Sequence, residues 1–421
     1  MSYNYDINHT QVDNKSKNCL LINNTLYTIV NLFVTTFLVA YIYSFNGDTY
    51  AYLFNVGVYN IFLYLTMALT CIPISKLVDK TNRVVIYRIS LVVKAFLVVF
   101  FIFFGKELAN YLILAGCLNG LGEALYVSSY NVIKQEMVSR KSIGGYASNM
   151  YILVKLVDII CPVLLGAMID VTSYSGTAII VLFICIIELL VSVGIKAKKP
   201  DGSNHNIREF IQLLNSKPDV KRKMKLMYFL SSIYGVSILI TNLINVCIML
   251  EYGSTLSLGI ITSLISIGAI LTIILVKKFT KNGYRSWLYA ISSIVPIIAV
   301  IIFALNVCAT TLIILNASIS LTAIIYKVYF DVHRNSTLKE SGLYNEIAEH
   351  QSIIEFLADS SRWMCFGLLL IISLFKSLIV FKIFMILAVV VTAGIFIFLE
   401  AFEKICRKES EIKTEINDKK M

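Results

Sequence analysis

Residues 75–88 read SKLVDKTNRVVIYR. Four bases, Lys76, Lys80, Arg83 and Arg88, surround one acid, Asp79. On either side the chain is apolar for long enough to cross a bilayer, which takes about 20 residues. Bases between two spans hold a loop on one side of a membrane. A lone acid among them does nothing for orientation and asks for another reason.

Outward from this loop the pattern repeats. The 421 residues are 57% hydrophobic and 15% charged, with a mean hydropathy of +0.77. Soluble domains carry about 25% charged residues. The apolar blocks lack the polar outer face that a buried soluble helix would show. The chain therefore reads as an all-α polytopic membrane protein. Twelve spans are expected at roughly 22–44, 52–75, 84–104, 108–133, 145–169, 175–195, 225–250, 255–277, 286–306, 309–330, 351–375 and 378–402. The polar first residues lack the apolar core of a cleaved signal, so the first span is expected to act as its own insertion signal.

Of the 37 Lys and Arg, thirty fall in the two tails and in the loops after spans two, four, six, eight and ten. The opposite side holds Lys106, Lys376 and Lys382. This bias predicts a multi-pass protein of the cell membrane with both termini in the cytoplasm. It accounts for the net charge of +11 without nucleic acid, and attraction to anionic lipid head groups follows from it. The nine cysteines are scattered, with no Cys/His cluster. They read as apolar packing residues, with neither a metal site nor a cofactor expected. No nucleophile triad or ATPase motif stands out, so the expectation is a non-enzyme.

The longest internal loop, 196–225, divides the chain into six spans and six. The expected units are a tail at 1–21, a half at 22–195, the connecting loop, a second half at 226–402 and a tail at 403–421. The loop contains NIREFIQLLN, in which Ile207, Phe210, Ile211 and Leu214 share one helical face. That predicts a short amphipathic helix on the membrane surface or against the bundle. Six plus six around a basic loop is the pattern of a two-fold-repeat transporter.

The opening stretch resembles the loop motif of the major facilitator superfamily, G-x-L-a-D-r-x-G-r-r. Leu77, Asp79, Lys80 and Arg83 fall on its Leu, Asp, basic and Arg positions. Ser75 and Asn82 replace its glycines; Asn is expected to tolerate the left-handed turn. VKKFTKNGYRSW at 276–287 is a degraded echo in the second half. The resemblance implies the fold of that superfamily: twelve helices in two six-helix, pseudo-symmetric halves. It also implies that Asp79, Lys80 and Arg83 gate the cytoplasmic ends by charge-assisted hydrogen bonds. In the fifth span ICPVLLG, 160–166, is similar to the superfamily's antiporter motif, with Pro162 and Gly166 on its Pro and last Gly. It implies a bent, closely packed helix and points to the drug/proton antiporter branch. An ordinary kinked membrane helix is the alternative.

Charges within spans should face water or one another. Lys155 and Asp158 lie at i, i+3 in the fifth span; Asn119, Glu123 and Tyr126 form a stripe in the fourth. Together they are expected to make a cavity cluster, Glu123–Lys155–Asp158, with Glu123 as proton carrier. A structural ion pair is the alternative. Glu355, Asp359 and Arg362 in the eleventh span, and Lys327, Asp331 and Arg334 in the tenth, read as a gate nearer the cytoplasm. Lys94 and Glu188, in spans that the superfamily keeps peripheral, read as one structural pair, and His350 as a cap or surface residue.

The expected function is secondary transport by alternating access: proton-coupled export of amphipathic or cationic small molecules by a monomer in a lipid membrane. One alternative is import or export of a specific polar metabolite or peptide. Another is a non-transporting receptor or lipid-binding scaffold on the same fold.

Overall fold

The computed structural model describes residues 14–44, 48–137, 143–196, 207–280, 285–340 and 347–418. Twelve apolar helices run through it: α1 (Asn14–Ser44), α2 (Thr49–Lys80), α3 (Arg83–Phe104), α4 (Leu112–Met137), α5 (Ile143–Thr172) and α6 (Tyr174–Ser192), then α7 (Pro218–Tyr252), α8 (Thr255–Thr280), α9 (Arg285–Leu305), α10 (Ala309–Glu340), α11 (Ile347–Leu374) and α12 (Leu378–Asp418). An even number of spans puts both ends of the bundle on one face. That face also bears the basic loops and is called the basic face below; the other is the far face.

Local chemistry sets several boundaries. Asp48 caps α2, accepting from the Ala51 amide at 3.3 Å. Asn82 caps α3 through the Val84 amide at 3.1 Å, with φ −67° and ψ 109°. The Asn in the opening motif is therefore an extended N-cap, not the left-handed residue the sequence led us to expect; its carboxamide makes the bond that a glycine lacks. Gly253 ends α7 at φ +63°, where its amide bonds to the Met249 carbonyl at 2.9 Å. A π turn at Phe33–Phe37 interrupts α1.

The contacts follow a two-fold rule in which helix n is equivalent to helix n + 6. Within the first half α2 packs on α4, α3 on α4 and α6, and α1 on α5 and α6. In the second half α8 packs on α10, α9 on α10 and α12, and α7 on α11 and α12. Between halves the two main contacts are α2 with α11 and α5 with α8, which the same rule interchanges. Long apolar stripes, such as Val85, Ile89, Val92 and Phe96 on α3, face outward, as lipid contact requires.

The core is not uniform along the bundle. One continuous cluster joins the halves, with α1 residues 30–42, α2 residues 52–67 and α7 residues 239–249 among its members. Toward the basic face two further clusters lie beside it. One holds Leu20, Tyr87, Tyr130 and Ile133 of the first half; the other holds Phe210, Met227, Tyr289 and Phe396 of the second. The halves thus share one core that runs from the far face to Ile74, Val78 and Ile86, and each adds a core of its own toward the basic face. The amphipathic helix Ile207–Asn215 resolves its two expected placements: Phe210 and Leu214 are buried in the second-half cluster, against the bundle. His350 is also buried there, 3.2 Å from the Tyr228 hydroxyl, which corrects its reading as a cap or surface residue.

Far-face closure centres on α5 and α8. Asp170, at the end of α5, accepts from the hydroxyls of Ser254 (2.9 Å) and Thr255 (2.5 Å) and from the amides of Thr255 (3.3 Å) and Leu256 (3.1 Å). A carboxylate from one half thus caps the N-terminus of a helix in the other, where the helix dipole favours negative charge. Below it Gly259 lies against the Pro162 carbonyl and Gly166 against the Thr255 backbone, so neither glycine has room for a Cβ. Pro162 and Gly166 therefore serve a close crossing. Gly259→Val should force α5 and α8 apart and cost about 1–3 kcal/mol, the usual range for overpacking. The check is the melting temperature of purified protein; a wild-type value would show that the crossing relaxes freely.

Candidate functional site

At mid-depth the first half contains a buried cation. Lys94 of α3 donates to Asn31 Oδ1 of α1 (3.1 Å) and, on α4, to Asn119 Oδ1 (2.5 Å) and Glu123 Oε1 (2.5 Å). Its ammonium also stands 5.4 Å from the centre of the Tyr27 ring. Asn119 is held in turn by its amide bond to the Tyr59 hydroxyl of α2, at 2.6 Å. Three donors meet three acceptors, which satisfies the demand that a buried charge be paired and hydrogen-bonded. The pair is asymmetric: the Lys94 side chain is 0% exposed and that of Glu123 is 13% exposed.

The second half answers with an ion pair of opposite sense. On α11 Arg362 Nη1 donates to Asp359 Oδ1 at 2.5 Å, and here the base is 13% exposed and the acid 1%. The guanidinium lies 5.3 Å from the centre of the Tyr64 ring of α2, and Tyr64 stacks on Phe366. Tyr64 thus brings α2 of the first half against the ion pair of the second, where the halves meet. Nearer the basic face a small cleft between α2, α4 and α11 has Ser75, Ser128, Asn131, Gln351, Ser352 and Glu355 in its lining, with Cys71, Val127 and Val132 beside them. The Ser352 and Ser75 hydroxyls cross it at 2.8 Å.

The predicted residues are thereby redistributed. Asn119 and Glu123 do share a site, but the cation of Glu123 is Lys94 and not Lys155. Lys155 bonds instead to Asp158 on its own helix at 2.7 Å, with side chains 20% and 25% exposed. A residue three positions along the same helix is always in reach, so Lys155 needs no partner from α4. Tyr126 joins an aromatic stack with Tyr27 and Tyr130 and donates to Asn24 at 2.9 Å; it is buried there. Lys94 and Glu188 are not a closed pair, since Lys94 is taken by Glu123 and both Glu188 carboxyl oxygens lack a hydrogen-bond partner. Asp359 and Arg362 sit at mid-depth against Tyr64, deeper than the gate first envisaged, while Glu355 accepts from Gln351 at 2.6 Å in the cleft. Arg83 is buried at the start of α3 and Lys80 is exposed. The side chains of Asp79, Lys327, Asp331 and Arg334 lie outside the described residues, as does the turn at 281–284 that holds part of the second-half echo.

The family model described as the Major Facilitator Superfamily matches residues 19–333. The chain belongs to the Major Facilitator Superfamily. No curated protein matches its sequence significantly. Solved transporters of the same architecture do match its structure. One is a POT family transporter in complex with 5-aminolevulinic acid, at 12% identity and a TM-score of 0.68, covering 92% of this chain and 96% of that one. A nucleoside transporter gives 15% and 0.67, covering 92% and 99%. A bacterial homologue of the iron transporter ferroportin, in its inward-facing state, gives 14% and 0.64, also covering 92% and 99%. At such identities the likeness is one of fold.

In this superfamily member Asn31, Tyr59, Tyr64 and Asp170 are site and closure residues that the sequence reading does not name, and Lys94 is one that it assigns to a structural pair with Glu188. Lys94 was discounted because α3 is peripheral in the fold. Yet a lysine stem is long enough to cross from a peripheral helix to α4. The signal was present in depth: Asn31, Lys94 and Glu123 each stand near the middle of an apolar span.

Proposed function

We propose that this superfamily member is a secondary transporter working by alternating access, and that it carries a small polar solute bearing a cationic group in exchange for protons. The exposure of the two ion pairs carries the reading. In the first half the acid, Glu123, is the reachable partner and its base is hidden; in the second half the base, Arg362, is the reachable partner and its acid is hidden. A solute amine suits Glu123, and an acidic group on the same solute suits Arg362. The 5-aminolevulinic acid held by one structural neighbour has both groups.

The core that each half has of its own toward the basic face suits a bundle that parts on that side, with the Ser75–Ser352 bond between α2 and α11 broken. Breaking the Asp170 cap and the α5–α8 crossing would be needed to open the other. By the charge bias the basic face is cytoplasmic in the cell membrane, and the units run as the sequence divides them. Export follows from the similarity of ICPVLLG to the antiporter motif, in the drug/proton branch. The Asp79 loop would then act as the gate of the basic face, together with Asp331 and Arg334.

A thermal-shift screen of purified protein tests the substrate reading. Small amines and amino acids should raise the melting temperature, and analogues without the amine should not. Stabilisation by amine-free acids alone would overturn it. A solute found this way should accumulate in proteoliposomes under an imposed pH gradient. Orientation has its own check: a cysteine at Lys80 or Asn215 should react with an impermeant reagent only from the cytoplasm, and labelling of intact cells from outside would reverse the topology.

A further inference from the structure

We infer that Glu188 of α6 is a second proton site, and that Lys94 passes between Glu123 and Glu188 as the coupling proton is taken up and released. The inference rests on the proton-coupled reading above and names the group behind it.

Glu188 is fully buried, and neither of its carboxyl oxygens has a hydrogen-bond partner. A carboxylate so placed needs a cation: a proton or a base. The base within electrostatic reach is Lys94, now committed to Glu123. Several groups mark the two carboxyls as flanking one lysine. Tyr27 of α1, the ring beneath the Lys94 ammonium, stands one turn from Asn23, which is bonded to the Glu188 carbonyl. Cys185, almost one turn from Glu188, interacts with both Glu188 and Lys94. The remaining groups around Glu188 are Asn23 of α1, which donates to the Glu188 carbonyl at 2.6 Å, Tyr87 of α3, which donates to Asn23 at 2.6 Å, and Tyr126 of α4. Arg88 of α3 bonds through Nη2 to the Ser192 carbonyl at 3.1 Å and the Val193 carbonyl at 3.4 Å, at the basic end of α6. Lys94 is therefore the base that these helices offer to both acids.

The exchange conserves charge. In the state described, Lys94 holds ionised Glu123 and Glu188 keeps its proton. A proton arriving at the reachable carboxylate, Glu123, ends that ion pair. The ammonium then turns to Glu188, whose proton departs, and the three groups together carry the same charge as before. A lysine suits this role, since its flexible stem and rotatable donors re-form bonds that a planar guanidinium could not. Glu188 lies along α6 toward the basic face, with Asn23 and Tyr87 beside it. The proton's course thus runs inside the first half, apart from the space where the solute binds.

Infrared difference spectra of the full-length protein in lipid, read at the carboxylic-acid C=O stretch, test this without any substrate. The wild type at neutral pH should show an acid band that Glu188→Gln removes and Glu188→Asp shifts. Glu123→Gln should remove the same band, because freed Lys94 ionises Glu188. An unchanged spectrum in both Glu188 variants would show Glu188 ionised throughout and overturn the proposal. Survival of the Glu188 band in Glu123→Gln would show that Lys94 does not cross, and would overturn it equally. In proteoliposomes Glu188→Gln should lose pH-driven accumulation and keep equal-pH counterflow. If the wild type carries no solute, the transport reading fails on that result alone, while the bands still decide the exchange.

Discussion

Lys94→Met should be the most damaging single change in the protein, costing about 3–5 kcal/mol, the range for removing one partner of a fully buried ion pair. The ammonium has no exposure and serves Glu123, Asn119 and Asn31 at once. Without it Glu123 is an uncompensated charge near the bilayer centre and two carboxamides lose a donor. The expected result is a steep fall in folded protein extracted from membranes. Glu123→Gln should be milder, because the ammonium keeps Asn31 and Asn119 in reach and has Glu188 as its acid in place of Glu123. The double variant Lys94→Met/Glu123→Gln should recover much of the loss, since replacing both members of a buried pair removes the unpaired charge. Melting temperatures of the three variants form the cycle. A double variant no better than Lys94→Met would show that the bonds to Asn31 and Asn119, not the ion pair, hold α1, α3 and α4 together. The contrast is Lys155→Ala: its partner Asp158 is partly exposed and on the same helix, so the expected loss is under about 1 kcal/mol.

Arg362→Gln should have the largest effect on transport. It leaves Asp359 buried without its base and removes the cation from the face of Tyr64. Truncating one partner of a buried, hydrogen-bonded charge pair costs about 2–5 kcal/mol. If Arg362 also grips the acidic end of the solute, affinity should fall at least about thirtyfold, since 1.4 kcal/mol is a factor of ten. Arg362→Lys should restore part of this, because it returns the charge without the planar stack. Tyr64→Leu should cost less, about 0.5–2 kcal/mol for the cation–π contact. Solute titration by thermal shift measures all three. Wild-type affinity in Arg362→Gln would remove the residue from the site and leave it as a brace between α2 and α11.

The sequence by itself determined the spans, because burial in lipid is a property of continuous apolar length and needs no knowledge of neighbours. It determined that the chain falls into six helices and six. It also exposed the family in SKLVDKTNRVVIYR and the close crossing at Pro162 and Gly166, since prolines and glycines act on their own backbone. Lys155 and Asp158 were found as a pair for the same reason: three residues along one helix, the geometry is local. The identity of the partner of Glu123 was not local. It depended on how α3 is rotated against α4 and on how far a lysine reaches, and neither is written in the spacing of either helix. The same holds for Asp170, a residue at a helix end with nothing near it in sequence that asks for a carboxylate. Only when α8 was brought against α5 did its four hydrogen bonds appear. Tertiary structure decided the site because buried charges are matched across helices, by rotation and depth, and those two quantities come into being only when the helices pack.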